Sequence, residues 1–176
     1  MSTEKNNIGA LTYYKDYQCR LPYWLQNSVD ETERYFEENK IRAIKLPKKT
    51  YVIAIWEYII RKYPNEYEDI KQKLISTCVR VQSKIEGQKN VFSLDNKEYT
   101  PPTRILLPKI LMDEVSEIAS KNYKVMTKPK SWILCIIICN KAKEFAEEKG
   151  ITINYMLREQ IEYYTKRQHR VITQIQ

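Results

Sequence analysis

Glycine is nearly absent from this chain, at three positions in 176 residues: Gly9, Gly87 and Gly150. Large all-β folds turn tightly and often, and tight turns favour glycine, so the scarcity argues for a mainly helical chain. Three isolated glycines also cannot build a phosphate-cradling loop. Histidine occurs once, as His169 in a basic tail, so His-based triads and multi-His metal sites lack their parts. The four cysteines, Cys19, Cys78, Cys135 and Cys139, are too few and too irregularly spaced for a disulfide-stapled secreted domain. No long apolar run exists either. The longest is Trp132 to Cys139, whereas a membrane-spanning helix needs about 20 residues. Met1 to Ala10 is polar and does not resemble a signal peptide, so a reducing cytoplasm is the expected compartment, with no membrane association.

What the chain does have is positive charge and tyrosine. Thirty Lys and Arg stand against 22 Asp and Glu, a formal charge of +8 with a pI near 9.2. An excess of that size on a small protein favours polyanionic partners, with simple solubility as the competing explanation. Fourteen tyrosines outnumber three Phe and three Trp. Tyrosine carries an apolar body and a polar tip, which suits half-buried surfaces and interfaces. The length accommodates one compact domain, or two small ones sharing a core.

Five stretches follow along the chain. Residues 1–39 read as an aromatic arm (Tyr13, Tyr14, Tyr17, Tyr23, Trp24) leading to a short acidic helix from about Val29, opened by a capping box at Ser28-Val-Asp-Glu31. Residues 40–87 read as a strand-helix-helix unit. Ile44 and Leu46 alternate with Ala43 and Lys45 before Pro47, and Thr50 to Lys62 carries a broad apolar face. A second helix from about Glu66 to Ile85 is closed by Gly87. Residues 88–102 form a polar connector ending at Pro101-Pro102. In residues 103–149 a short extended run, Thr103 to Leu107, precedes a one-sided helix at Leu111 to Ala119. Thr127-Lys-Pro-Lys-Ser131 then opens a helix that is apolar all round from Trp132 to Cys139 and closed by Gly150. Residues 150–176 form a last helix, about Asn154 to Gln168, and a basic tail.

No catalytic constellation stands out. Glu37/Glu38, Glu66/Glu68/Asp69 and Glu147/Glu148 lie in solvated helical contexts, and nothing singles out a tyrosine or lysine nucleophile. Cys135 and Cys139 share one helix face, but a metal site needs two more ligands and none lies at the usual spacing nearby, so they read as core. No enzyme activity, cofactor or metal is expected.

The order strand, proline, helix, capped turn and apolar helix in residues 103–145 resembles the ribbon-helix-helix superfamily of DNA-binding repressors. Arg104-Ile-Leu-Leu-Pro108 matches the ribbon, Leu111 to Lys121 the first helix, and Thr127 to Ser131 the start of the second. The resemblance implies a homodimer in which each chain gives one strand to an antiparallel ribbon entering the major groove. It implies a dimer core at Trp132, Ile133, Ile136 and Ile137. It also implies phosphate contacts at the second helix's start through Lys128, Lys130 and Ser131. Alternation directs Ile105 and Leu107 to the core and leaves Arg104 and Leu106 facing DNA, where Leu106 meets only a thymine methyl. Ile44-Lys-Leu-Pro47-Lys48 echoes Ile105-Leu-Leu-Pro108-Lys109, which places Lys40, Arg42 and Lys45 on a second, degenerate unit and leaves open whether two such units pair within one chain, as a tandem, or between chains. The basic tail adds Lys166, Arg167 and Arg170.

The expected architecture is thus mainly α with one or two short β-strands, a ribbon-helix-helix-like unit plus additional helices. The expected function is DNA binding, as a repressor, partition or other accessory factor. The competing expectation is a helical protein–protein interaction module without a nucleic-acid role, its apolar 132–139 helix binding a different protein and its aromatic N-terminal arm fitting the same reading.

Overall fold

A computed structural model describes residues 14–87, 98–108, 113 and 131–167. Among them are two strands and five α-helices. The strands are β1 (Tyr14–Cys19) and β2 (Thr103–Pro108), and the helices are α1 (Tyr23–Glu38), α2 (Tyr51–Lys62), α3 (Tyr67–Gly87), α4 (Ser131–Lys149) and α5 (Ile153–Arg167). A 3₁₀ turn, Lys48–Thr50, leads into α2. The architecture is mainly helical with one small antiparallel sheet, as the glycine scarcity implies. No described helix is long and apolar enough to cross a membrane.

The N-terminal arm is where sequence and structure first part. Its aromatic middle supplies β1, which pairs antiparallel with β2 from Tyr14↔Pro108 to Cys19↔Thr103. The pairing continues past the strands: Leu21 N–H donates to the Thr100 hydroxyl at 3.1 Å and Thr100 N–H to the Leu21 carbonyl at 2.8 Å. The ribbon strand therefore has its partner within its own chain, and not in a second copy. A short strand must satisfy its ladder groups somewhere, and the arm lies close enough to do so. Leu106 is buried, so it does not face outward to meet a base.

α1 begins at Tyr23, ahead of the capping box expected at Ser28. Ser28 sits inside the helix, where its carbonyl accepts a hydrogen bond from the Thr32 hydroxyl at 2.7 Å. Leu25, Val29, Thr32 and Phe36 repeat at helical spacing and are all buried. Burial of that stripe outweighs a local capping signal. The Tyr23 N–H, otherwise orphaned at the helix start, donates to the Glu98 carbonyl at 2.9 Å.

The exit of α1 is a Schellman turn: Lys40 N–H bonds the Glu37 carbonyl and Ile41 N–H bonds the Phe36 carbonyl. Lys40 holds φ 54°, a left-handed conformation usually given to glycine. α4 ends the same way, but with Gly150 at φ 69°. Residues 41–47 follow without regular secondary structure, so the strand expected at 44–46 does not form. Leu46 is buried and anchors the segment.

α2 is the centre of the molecule. Every residue from Tyr51 to Ile60 is buried, more than the one broad face its sequence suggests, because β2, α4 and α5 all pack on it. Cys135 to Cys139 of α4 are buried within the same chain, against β1, α3 and α2. Ile136 and Ile137, assigned in sequence to a dimer core, are therefore covered by the protein's own elements. The side chains of Trp132 and Ile133 lie outside the described residues, as do the expected helix at 111–119, Asp113 apart, and the turn at 127–130. One buried cluster draws side chains from residues 19–36, 46–75, 105–107, 135–146 and 153–164.

Candidate nucleic-acid interface

Two of the chain's acid-free basic stretches come together at one end of α5. Residues 40–49 hold five cations and no carboxylate, and no Asp or Glu follows Glu162. The Ile44 N–H donates to the Thr165 Oγ1 at 3.1 Å, joining the two stretches across 121 residues. Two further relationships set this geometry. α1 runs parallel to α5, since Asn154 donates to Glu31 at 2.6 Å and, further along both helices, Arg158 stacks on Tyr35. The exit of α1 therefore passes the end of α5. α2 runs antiparallel to α5, since Arg61 forks onto Gln160 at 3.0 and 3.1 Å while Tyr164 donates to Glu57. The start of α2, with Lys48 just before it, consequently also lies beside the end of α5.

Lys40, Arg42, Lys45, Lys48, Lys166 and Arg167 are all exposed. Among the described residues none of these six makes an ion pair. The contrast is on α3 and α4, where Lys71, Lys73, Lys141 and Lys149 pair with Glu68, Asp69, Glu144 and Glu66. Four lysines of α3 and α4 are thus neutralised by neighbouring carboxylates, with Lys143 over the Trp24 ring instead, and the six cations at the end of α5 are not. A cation without a protein partner keeps its charge available to an external anion.

One carboxylate tempers this field. Burial raises the Glu33 carboxyl above its ordinary range, and the nearby Lys45 pulls it back down. Its Oε1 is buried without a hydrogen-bond partner. The interaction also draws on the charge of Lys45.

Arg104 is exposed on β2, directly opposite exposed Gln18 of β1. Its strand packs against the Lys48–Thr50 turn. Ser131 opens α4, and its side chain is outside the described residues, together with Lys128, Lys130 and Arg170.

Several contributors escaped the sequence reading. Arg61 lies 4.1 Å over the Tyr163 ring and 5.8 Å over Tyr58, Arg167 lies 5.1 Å over Tyr163, and Arg158 lies over both Tyr35 and Tyr155. Each guanidinium is thereby held against an aromatic ring. The available signal was the outward stripe of α5, where Tyr155, Arg158, Tyr163, Lys166 and Arg167 recur at helical spacing.

The cysteines converge differently. Cys19 of β1 joins Cys135 and Cys139 of α4 in the core. A hydrogen bond with Cys139, and then burial, holds the Cys135 thiol well above its ordinary range, while Cys19 acts in the opposite direction. Protonated and enclosed, it packs as a small hydrophobe. No group of three or more His, Cys, Asp or Glu among the described residues is arranged to hold a metal ion.

Comparison with protein-family models, curated proteins and solved structures returned no match.

Proposed function

We propose that this protein binds DNA, holding the phosphate backbone at the end of α5. The observation that carries the reading is the segregation of charge. Lys40, Arg42, Lys45, Lys48, Lys166 and Arg167 come from two distant stretches without ion pairs among the described residues, while Lys71 and Lys73 of α3 and Lys141 and Lys149 of α4 are matched with carboxylates. Such contacts position a polyanion and are insensitive to sequence. The ribbon's exposed Gln18–Arg104 pair is the part suited to base edges, since Arg reads guanine and Gln reads adenine in the major groove. The role is that of a repressor, partition or other accessory factor.

The test compares two triple variants on a random-sequence duplex by fluorescence anisotropy. Alanine at Arg42, Lys45 and Lys166 is expected to weaken binding by about tenfold or more near 0.1 M salt. Alanine at Lys71, Lys73 and Lys141 removes the same formal charge from the paired face and is expected to change affinity far less. Equal losses would show that total charge, and not this face, is responsible. Absence of binding in the unmodified protein would favour the helical interaction module instead.

A further inference from the structure

Two arginines from different helices share one aromatic ring at the seam between α2 and α5. The Arg61 guanidinium of α2 lies 4.1 Å over Tyr163, and the Arg167 guanidinium of α5 lies 5.1 Å over the same ring. Each is brought there by a different cause. The buried side-chain oxygen of Gln160 accepts from both Nε and Nη2 of Arg61, at 3.1 and 3.0 Å, and so sets its direction. Arg167 is exposed in the last turn of α5 and folds back one turn along its own helix. Among the described residues Arg167 makes no hydrogen bond or ion pair, and Arg61 makes none beyond its fork onto Gln160.

The shared ring keeps the two cations within about 9 Å of each other, where like charges repel. No carboxylate relieves that repulsion by pairing. Glu57 of α2 is buried and accepts a hydrogen bond from Tyr164. Glu159, near Tyr58, and Glu162 are half-buried on α5, and neither pairs with Arg61 or Arg167. An anion from outside offsets the repulsion. It meets the Nη1 donors of Arg61 and the whole fork of Arg167, a planar arrangement suited to phosphate oxygens. The seam is also continuous with the basic end. Arg167 follows Lys166, and Lys48 stands just ahead of α2, whose start lies beside the end of α5.

We infer that Arg61 and Arg167, held on the Tyr163 ring, clamp a phosphate of the DNA backbone at the α2–α5 seam. The inference rests on the DNA-binding reading and deepens it. It adds Arg61 to the face and makes guanidinium geometry matter there beyond charge. Lysines at the end of α5 attract a backbone without direction, whereas two ring-held forks fix where along it the protein sits.

The experiment titrates a labelled random-sequence duplex against the full chain by fluorescence anisotropy, with folding followed by circular dichroism. Arg167→Lys and Arg61→Lys/Arg167→Lys keep the formal charge and remove the fork. Tyr163→Leu keeps both arginines and removes the ring. Arg34→Lys, at an exposed position of α1, controls for the exchange itself. The double variant is expected to lose about tenfold in affinity with its salt slope unchanged, because its charge is unchanged. Arg167→Lys and Tyr163→Leu should each show part of that loss, and Arg34→Lys none. Should Arg61→Lys unfold by releasing Gln160, Arg167→Lys and Tyr163→Leu decide the matter. Lysine variants, or Tyr163→Leu, that bind as tightly as the parent would overturn the inference and leave the DNA reading standing. An equal loss in Arg34→Lys would overturn it as well. Failure of the unmodified protein to bind the duplex at low salt would overturn both.

Discussion

The backbone N–H of Ile44 and the hydroxyl of Thr165 meet at 3.1 Å, and this one bond fastens the basic loop to the end of α5. The same hydroxyl donates to the Ile161 carbonyl at 2.8 Å, so it is satisfied in both directions and held in one rotamer. Thr165→Val keeps the shape and deletes both bonds. It is expected to cost about 1 kcal/mol of stability and to weaken DNA binding, because Arg42 and Lys45 are no longer fixed beside Lys166. Thr165→Ser retains the hydroxyl and should restore both properties. Denaturant unfolding and anisotropy on the three proteins check the pattern.

Lys40 occupies a position that local backbone energetics would give to glycine. Its φ of 54° closes the Schellman turn after α1, while Gly150 does the equivalent work after α4. Lys40→Gly is expected to gain about 0.5–1 kcal/mol from relief of the left-handed strain, after allowing for the entropy of glycine. The same substitution removes a cation from the candidate interface and should lower DNA affinity. A stabilised protein that binds less tightly is the signature of strain kept at a functional position. A chemical denaturation curve and a binding isotherm on the same preparation are sufficient.

Glu33 works against the fold at neutral pH, and against the DNA binding proposed for the end of α5. Burial raises its pKa, so the folded protein retains a proton that the unfolded chain has already lost. Its contribution is therefore present below the ordinary carboxyl range and declines as pH rises through the raised value. Glu33→Gln is expected to be more stable than the parent at pH 7, with the difference closing as the pH falls toward 4.5. Removing the carboxylate near Lys45 should also tighten DNA binding. Thermal melts across pH, paired with titrations at pH 7, separate the two effects.

Tyr58 sets an alkaline limit. Burial pushes its phenol up to about 12, with Tyr63, Tyr155 and Glu159 adding to the shift. Tyr51 and Tyr99 are raised by burial in the same direction. Native phenols hold protons that the unfolded chain releases, so this stability is complete below the ordinary value of 10.0 and is lost as pH climbs toward about 12. Tyr58→Phe is expected to unfold less steeply over that window, with Tyr51 and Tyr99 accounting for the remaining slope. Following unfolding by circular dichroism from pH 9 to 12 tests it.

How far the fold could be read from sequence differs by element, and the reason is physical. α2, α3 and α5 were legible because their apolar residues recur at helical spacing, and Gly150 and Gly87 mark helix ends. The expected boundaries fall within one or two residues. β1 was not legible, because a six-residue strand of mixed polarity shows its character only once β2 lies beside it. The same is true of α1. Its start is satisfied by the Glu98 carbonyl, a partner distant in sequence, and so the nearby serine was the only visible capping signal. At the interface, each basic stretch could be recognised by its lack of acids, but their union depends on Ile44 and Thr165. The outward tyrosines and arginines of α5 were present as a pattern, yet what makes them a surface is the parallel packing of α1.

The most direct test of the central claim is the salt dependence of duplex binding by the full chain. The logarithm of the association constant is expected to fall linearly with the logarithm of salt concentration, with a slope of about −0.9 for each phosphate contact. Alanine at Arg42, Lys45 and Lys166 should reduce that slope by about one unit per removed contact. A slope near zero, or no binding at low salt, would contradict a phosphate-binding role for the end of α5.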